Sequence, residues 1–190
     1  MAKIGLTNLW WGKLTESEDG AATYDGAKTF GKAVSCKVSV TNNDASLFAE
    51  DSLAESDKSF NSASVTLGVA DDDDTIFAPI LGHTVSEGPD NKGEMVRNAN
   101  DVAPYVGLGR VITKMVNGAL KYKGEFLYKV KFSEPSQEDE TKSEKVDFKT
   151  PEIEGSAAQL ANGNWSAAQT FDTKDAAVTW VKDKLKTPGK

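Results

Sequence analysis

Few side chains in this sequence could support chemistry. The run Asp71–Asp74 offers four carboxylates, but it lacks the alternating spacing and the closing glutamate of a Ca²⁺-binding loop, so helix capping is its favoured role. Cys36 is the only cysteine and His83 the only histidine. This count excludes a Cys/His zinc site and a disulfide framework, and no nucleophile pattern accompanies His83. We therefore predict no catalytic residue, no metal site and no cofactor.

Two further motifs are weak. Gly107 and Gly109, in YVGLGRV, lack the third glycine of a phosphate-binding loop and stand in a strand-like segment, where glycine more often marks a bulge or a close backbone approach. Asn164-Trp165-Ser166 matches a glycosylation acceptor, which has meaning only in an exported chain.

Met1–Leu14 shows no apolar core of a signal peptide, and no run of about 18 apolar residues occurs. We expect neither export nor a membrane span.

The charge balance is acidic. The 190 residues hold 22 Lys and Arg against 29 Asp and Glu, a formal net charge of −7. Such a surface repels nucleic-acid phosphates, so specific nucleic-acid binding is not expected. The length fits a single domain, which we divide into an N-terminal strand and arm (1–30), a β body (31–172) and a C-terminal helix and tail (173–190).

Two strands are predicted from apolar and polar residues that alternate with period two. In Val34–Thr41 the even-numbered residues, Cys36 among them, are apolar and the odd-numbered residues are polar. Ser62–Val69 shows the same split. Cys36 is therefore expected on the buried face of a strand, where a small thiol is inert.

Two Asn-Gly pairs are typical of type I′ turns and predict two β-hairpins. Asn117-Gly118 is expected to join Val102–Val116 to Leu120–Phe132. Asn162-Gly163 is expected to join Glu152–Ala161 to Asn164–Phe171.

Helices are expected at two places. A short one near 72–82 is capped by the acidic run, limited by Pro79 and ended by Gly82. A second, over 173–186, has Thr173 or Asp172 as its cap and an apolar face formed by Ala177, Val178, Val181 and Leu185. The predicted class is α+β, mainly β: a β-sandwich with a flanking short helix, a C-terminal helix and extended loops or arms, the last at Thr15–Lys28, Gly88–Asp101 and Ser133–Lys145.

Two segments could contact another subunit. Trp10 and Trp11 are adjacent on a strand and point to opposite faces, so one of them needs a second partner or a covering loop of the same chain. Ala45–Ser56 mixes apolar and acidic residues between two strands, and it is either an interaction loop or a decorated connection.

Several short blocks in chain order carry a resemblance. They are IGLTNLWWGKL, SLFAEDSLAES followed by VTLGVADD, ILGHTV, DVAPYVGLGRV, and FLYKVKFSEPSQEDETKSEKVDFKTPEIEGS. The sequence resembles the major tail protein family of long, non-contractile-tailed bacteriophages, from Ile4 to about Trp180. The segments at Gly88–Asn100 and in the C-terminal helix depart from the family pattern.

That resemblance implies a tail tube protein with a tail-tube-type β-sandwich fold. Six copies would form a ring, and stacked rings would form a hollow tube through which viral DNA passes without specific binding. Its partners would be further copies of itself, the tape measure protein, the tail terminator and the tail tip proteins. It would be made in the bacterial host cytoplasm and reside in the virion.

On this basis we expect subunit contacts from the N-terminal strand, the 45–56 connection and the acidic loop 134–144. The expected contact residues are Leu9, Trp10, Trp11, Leu47, Phe48, Glu50, Asp51, Leu53, Glu134, Glu138, Asp139 and Glu140. Replacing Trp11 or Phe48 by Asp is predicted to block assembly and leave the monomer folded. Two alternatives stay open: the tube of a phage-like bacteriocin or defective prophage tail, and, in a different class, a β-sandwich carbohydrate-binding or adhesion module.

Overall fold

The computed structural model describes residues 2–49, 52–70, 74–136 and 152–186. Within these ranges the fold is mainly β, with thirteen strands and two helices. In chain order the elements are β1 (Ala2–Glu16), β2 (Ala22–Tyr24), β3 (Lys28–Thr29), β4 (Ala33–Asn42), β5 (Ala45–Ala49), β6 (Ser52–Asp57), β7 (Phe60–Val69), α1 (Asp74–Leu81), β8 (Thr84–Val85), β9 (Met95–Val96), β10 (Val106–Val116), β11 (Ala119–Phe132), β12 (Glu152–Ala158), β13 (Ser166–Phe171) and α2 (Lys174–Lys184).

The two strands predicted from alternation are confirmed as β4 and β7. Every second residue of β7 from Ala63 to Val69 is buried. β4 is less well covered, because it is the last strand of its sheet: Val34 and Val40 are 57% and 48% exposed, while Cys36 is half-buried.

The first predicted hairpin is confirmed. Asn117 and Gly118 have φ of 50° and 78°, as a turn with two left-handed residues requires, and they join β10 to β11. β10 begins at Val106, four residues later than the sequence pattern indicates.

The second predicted hairpin is wrong. β12 and β13 both pair with β11, along Lys129–Phe132 and Tyr122–Leu127 respectively, and both run antiparallel to it. β12 and β13 therefore run in the same direction along β11. The loop that contains Gly163 connects them and is not a hairpin turn. Its anchor is Leu160, which is 3% exposed and whose N–H donates to the Asn164 carbonyl at 2.8 Å.

Nine strands form one sheet with the path β2-β1-β10-β11-β12-β7-β4, to which β3 and β13 add at β1 and β11. The sheet curls on itself, because side chains from opposite ends of this path share one buried cluster: Trp11 of β1 and Leu108 of β10 lie with Leu67 of β7. α1 packs its buried residues into the same cluster through Phe77 and Ile80.

Both predicted helices are confirmed. Gly82, with φ of 84°, follows α1, and the Thr173 side chain accepts a hydrogen bond from Ala176 N–H at 3.3 Å to begin α2. α2 lies on the sheet face opposite the main core. Its apolar residues meet those of β1, β10 and β11 in a second cluster of Trp10, Val111, Phe126, Ala177, Val181 and Leu185.

Strand glycines in β10 and β11 make this docking close. A Cβ on Gly109 would collide with Val181, and a Cβ on Gly124 would lie 2.8 Å from the Trp180 ring. The interpretation of YVGLGRV as a close backbone approach is thus confirmed.

The three predicted loops have different outcomes. Thr15–Lys28 is partly wrong as a loop, because β2 and the start of β3 pair with β1 and leave a tight turn at Ser17–Gly20 and a short link at 25–27. Gly88–Asp101 is mostly irregular, although β9 pairs with β8. Of Ser133–Lys145, only 133–136 fall within the described residues, and 71–73 of the acidic run lie outside them. Among the described helices, neither has the length and apolar character to cross a membrane.

Candidate functional site

The N-terminal residues expected to contact a neighbour are buried within the chain itself. Leu9 and Trp11 lie in the main core at 3% and 2% exposure, and Trp10 lies under α2 at 5%. The two tryptophans do point to opposite faces, but each face is covered by the same chain. Without unfolding β1, a second subunit could not reach these side chains, so we leave them out of any contact surface.

The 45–56 connection is a hairpin arm. β4 and β7 pair as far as Asn42 and Phe60, Asn43 N–H donates to the Ser59 carbonyl at 2.8 Å, and the chain then continues as the separate pair β5–β6. Leu47, Phe48 and Leu53 lie on these strands, but their side chains fall outside the described structure, as do Glu50 and Asp51 entirely. The arm forms a two-stranded sheet of its own, separate from the main sheet.

Glu134, one of the expected contact residues, lies against His83 of the same chain. His83 Nδ1 lies 2.7 Å from Asp101 Oδ2, and its Nε2 contacts Glu134 Oε1. Arg97 Nε approaches the same Glu134 oxygen at 3.9 Å. The other acidic residues of that loop, Glu138, Asp139 and Glu140, lie outside the described residues.

This histidine is positioned by three irregular segments. It follows Gly82 at the end of α1, Asp101 lies in the loop between β9 and β10, and Glu134 lies just beyond β11. The hydrogen bond that His83 donates to Asp101, followed by the contact with Glu134, raises the pKa of His83, although burial of the ring opposes this shift. Hydrogen bonding to His83 likewise lowers the pKa of Asp101. Both shifts favour the charged pair.

A cleft of about 400 Å³ opens beside this cluster, lined by Leu81, His83, Arg97, Asp101, Phe132 and Glu134. Its titratable groups already engage one another, and the two carboxylates sit on opposite ring nitrogens, so they do not converge on one point. Within the ranges that the structure describes, no three His, Cys, Asp or Glu side chains are placed to hold a metal. The cluster can stabilise the packing of the three chain segments that carry His83, Asp101 and Glu134, which is a structural role.

A second polar cluster links β10 and β11 to β4, the last strand of the sheet path. Arg110 of β10 donates through Nε and Nη2 to Glu125 Oε2 at 2.8 and 2.6 Å, and through Nη1 to the carbonyl oxygen of Cys36 on β4 at 2.8 Å. Burial would raise the pKa of Glu125, but hydrogen bonds from Lys123 and Arg110 bring it below its ordinary value. Burial raises the pKa of the Cys36 thiol, in accord with an inert side chain. The sequence pattern missed Arg110, since a lone arginine in a strand carries no motif.

Among the described strands, the block β1-β10-β11-β13 has a free edge on each side. β1 pairs with β10 from Ala2 to Lys13, and with β3 and β2 from Trp10 onward, so its second edge is unpaired over Ala2–Asn8 within the described strands. β13 pairs with β11 on one side, and the described strands provide it no partner on the other. The block β1-β10-β11-β13 therefore has one open edge at Ala2–Asn8 and another along Ser166–Phe171.

Exposed apolar side chains lie at the hairpin end of this block. Met115 and Leu120 face each other across β10 and β11 at 38% and 48% exposure, and Ile4 of β1 is 55% exposed. Residues of this kind at a sheet end favour contact with another chain.

No protein-family model matches this chain, and no curated protein matches it.

Proposed function

We propose that this chain is a structural subunit of a bacteriophage tail tube, which self-assembles into rings that stack into a hollow tube. The observation that carries the proposal is the four-stranded block β1-β10-β11-β13 with an open edge on each side. Unpaired edges attract further strands, and closing them between copies removes that liability. The resemblance to the major tail protein family supports the same assembly and implies six copies in each ring.

The strand directions suit a closed ring. Successive strands in the block are antiparallel, so β1 and β13 run in opposite directions. When the β13 edge of one copy meets the β1 edge of the next, the alternation continues without a break. Such a contact is head-to-tail, and a head-to-tail contact generates a ring when its rotation closes.

The contact surface that we propose differs from the one expected from sequence. It comprises the edges Ala2–Asn8 and Ser166–Phe171, the exposed apolar end formed by Ile4, Met115 and Leu120, and the β5–β6 arm, which we retain from the sequence prediction. Leu9, Trp10 and Trp11 are replaced because they support these edges from inside the subunit. As a tail tube, the assembly would also meet the tape measure, terminator and tip proteins, and viral DNA would pass through its bore.

A carbohydrate-binding or adhesion module finds less support. Stacking a sugar ring needs an exposed aromatic face, yet Trp10 and Trp11 are buried and Trp165 stacks on Phe60 with ring centroids 4.3 Å apart. The exposed Tyr105 is flanked by Lys129 and Lys131 at 4.8 and 5.4 Å from its ring. A phage-like bacteriocin or defective prophage tail would use the same tube, and genomic neighbours distinguish these sources.

Negative-stain electron microscopy across a protein concentration series, with light scattering for mass, tests the proposal. Rings or hollow tubes of uniform diameter are expected. A monomer at every concentration and salt condition would contradict self-assembly, and a glycan-binding screen would then test the adhesion module.

A further inference from the structure

Three lysines stand directly opposite one another on three neighbouring strands. Lys3 of β1 is in register with Lys114 of β10, and Lys114 is in register with Lys121 of β11. We call these three residues the lysine row. Neighbouring strands lie about 4.8 Å apart, so the row spans about 10 Å. Side chains alternate along a strand, which places the row on the sheet face opposite Met115 and α2.

This arrangement is costly for an isolated subunit. Like charges that face each other across strands are destabilising, and burial together with Lys123 and Lys3 lowers the pKa of Lys114. The positive charge of Lys121 is offset by its ion pair with Asp172. Within the described residues, Lys3 and Lys114 form no ion pair.

Acidic side chains gather at the other end of the same strands. β1 runs from Lys3 to Glu16 and is followed by a tight turn in which Glu18 and Asp19 are exposed. β11 likewise starts beside the row and ends just before Glu134. Twelve extended residues lie between Lys3 and Glu16, which places the two roughly 40 Å apart. One subunit therefore cannot satisfy its lysine row with its own turn.

We propose that the lysine row receives the acidic turn Ser17–Gly20 of a second copy stacked end to end along the strands. This inference rests on the proposed tube and identifies the ring-to-ring contact within it. Opposite charges at the two ends of each copy make stacking directional, since turning one copy round would oppose lysines to lysines or carboxylates to carboxylates. Hydrogen bonds from Ser17 and Ala21 lower the pKa of Asp19, so this carboxylate stays charged.

A second copy fits the row better than a nucleic acid does. The formal net charge of −7 repels a polyanion at long range, and carboxylates on Lys121 and Lys123 already neutralise part of the row's surroundings. The lysine row is small and needs a partner with only a few negative charges. The acidic turn Ser17–Gly20 of a second copy is such a partner.

Lys114→Glu is the decisive variant. Placed between Lys3 and Lys121, a carboxylate turns two repulsions into two attractions, so the melting temperature of the free subunit should rise. Stacking should weaken at least about tenfold, so that electron microscopy shows single rings instead of tubes. The matched control is Lys92→Glu, which makes the same charge change at an exposed loop lysine and should stack as the wild type does.

Glu18→Lys with Asp19→Lys should also yield unstacked rings. Combining both with Lys3→Glu and Lys114→Glu makes the row net negative opposite a positive turn, and should restore tubes. If Lys114→Glu forms tubes like the wild type, or if it instead changes only the binding of a 30-nucleotide single-stranded DNA probe, the inference is overturned while the tube proposal stands. If the wild-type protein forms neither rings nor tubes, the tube proposal itself fails.

Discussion

His83 Nδ1 lies 2.7 Å from Asp101 Oδ2, and the other ring nitrogen contacts Glu134. A neutral imidazole donates from one nitrogen only, so both carboxylates accept hydrogen bonds together only when the ring is protonated. The ring links the segment after α1 to the loop before β10 and to the segment after β11. Protonation of one side chain therefore governs how firmly three chain segments are held together.

This relationship predicts a pH dependence of stability. The hydrogen bond to Asp101 raises the pKa of His83 above its ordinary value of about 6.5. Stabilisation from such a group is complete below the unfolded-state pKa and is lost as the pH rises through the folded-state pKa. We expect the free energy of unfolding to decline over that interval above pH 6.5.

Urea unfolding at a series of pH values measures this decline, with His83→Gln as the variant that keeps a polar side chain but cannot titrate. The variant should lack the step and be less stable than the wild type at pH 6. Parallel stability curves for the two proteins would show that the imidazole is not the titrating group.

Burial also reverses a prediction made from sequence for Trp11. Trp11 is 2% exposed in the main core, so Trp11→Asp should unfold the subunit instead of only blocking assembly. Truncating a buried tryptophan costs about 3–5 kcal/mol, and a buried unpaired charge adds to this, which rivals the total stability of a domain. Circular dichroism and urea unfolding check the loss.

Val102→Asp is the control for Trp11→Asp, because Val102 is 71% exposed. Its free energy of unfolding should stay within about 0.5 kcal/mol of the wild type. A folded Trp11→Asp subunit that merely fails to assemble would restore the interface role predicted from sequence.

A third prediction concerns the contact of α2 with the sheet. Gly109→Ala places a methyl group against Val181, and we expect a loss of about 1–3 kcal/mol in unfolding free energy. Gly5→Ala is the matched control, since a Cβ there has no atom within 4 Å. In a double-mutant cycle, Val181→Ala should offset part of the cost of Gly109→Ala; purely additive costs would contradict the collision.

The elements of this fold were largely predictable from local patterns, whereas their pairing was not. The Asn117-Gly118 turn requires left-handed φ at both residues, and that requirement is local. At Asn162-Gly163 the same dipeptide sits in an excursion, because both flanking segments pair with β11 instead of with each other. β11 is long enough to pair with β12 and β13 one after the other along the same edge. The Asn-Gly dipeptide carries no information about that pairing.

The candidate contact surface was less predictable for a similar reason. Whether Trp10 is exposed depends on α2, which is far away in sequence and docks through glycines at positions 109 and 124. The lysine row depends on the cross-strand register of Lys3 and Lys114, which lie over a hundred residues apart in the sequence. Local periodicity carries no information about either relationship.

The final prediction tests the lateral contact through its two edges. If the β1 edge of one copy pairs with the β13 edge of the next, cysteines at Gly5 and at one of Ala168, Gln169 or Thr170 will fall within the roughly 4.4–6.8 Å Cα separation that a disulfide needs. In a Cys36→Ser background, mild oxidation of the assembled protein should then produce a ladder of covalent multimers up to the ring size. Each single-cysteine variant offers one thiol per copy and should stop at dimers. Rings that show no ladder with any of the three positions would place the lateral contact elsewhere than at these edges.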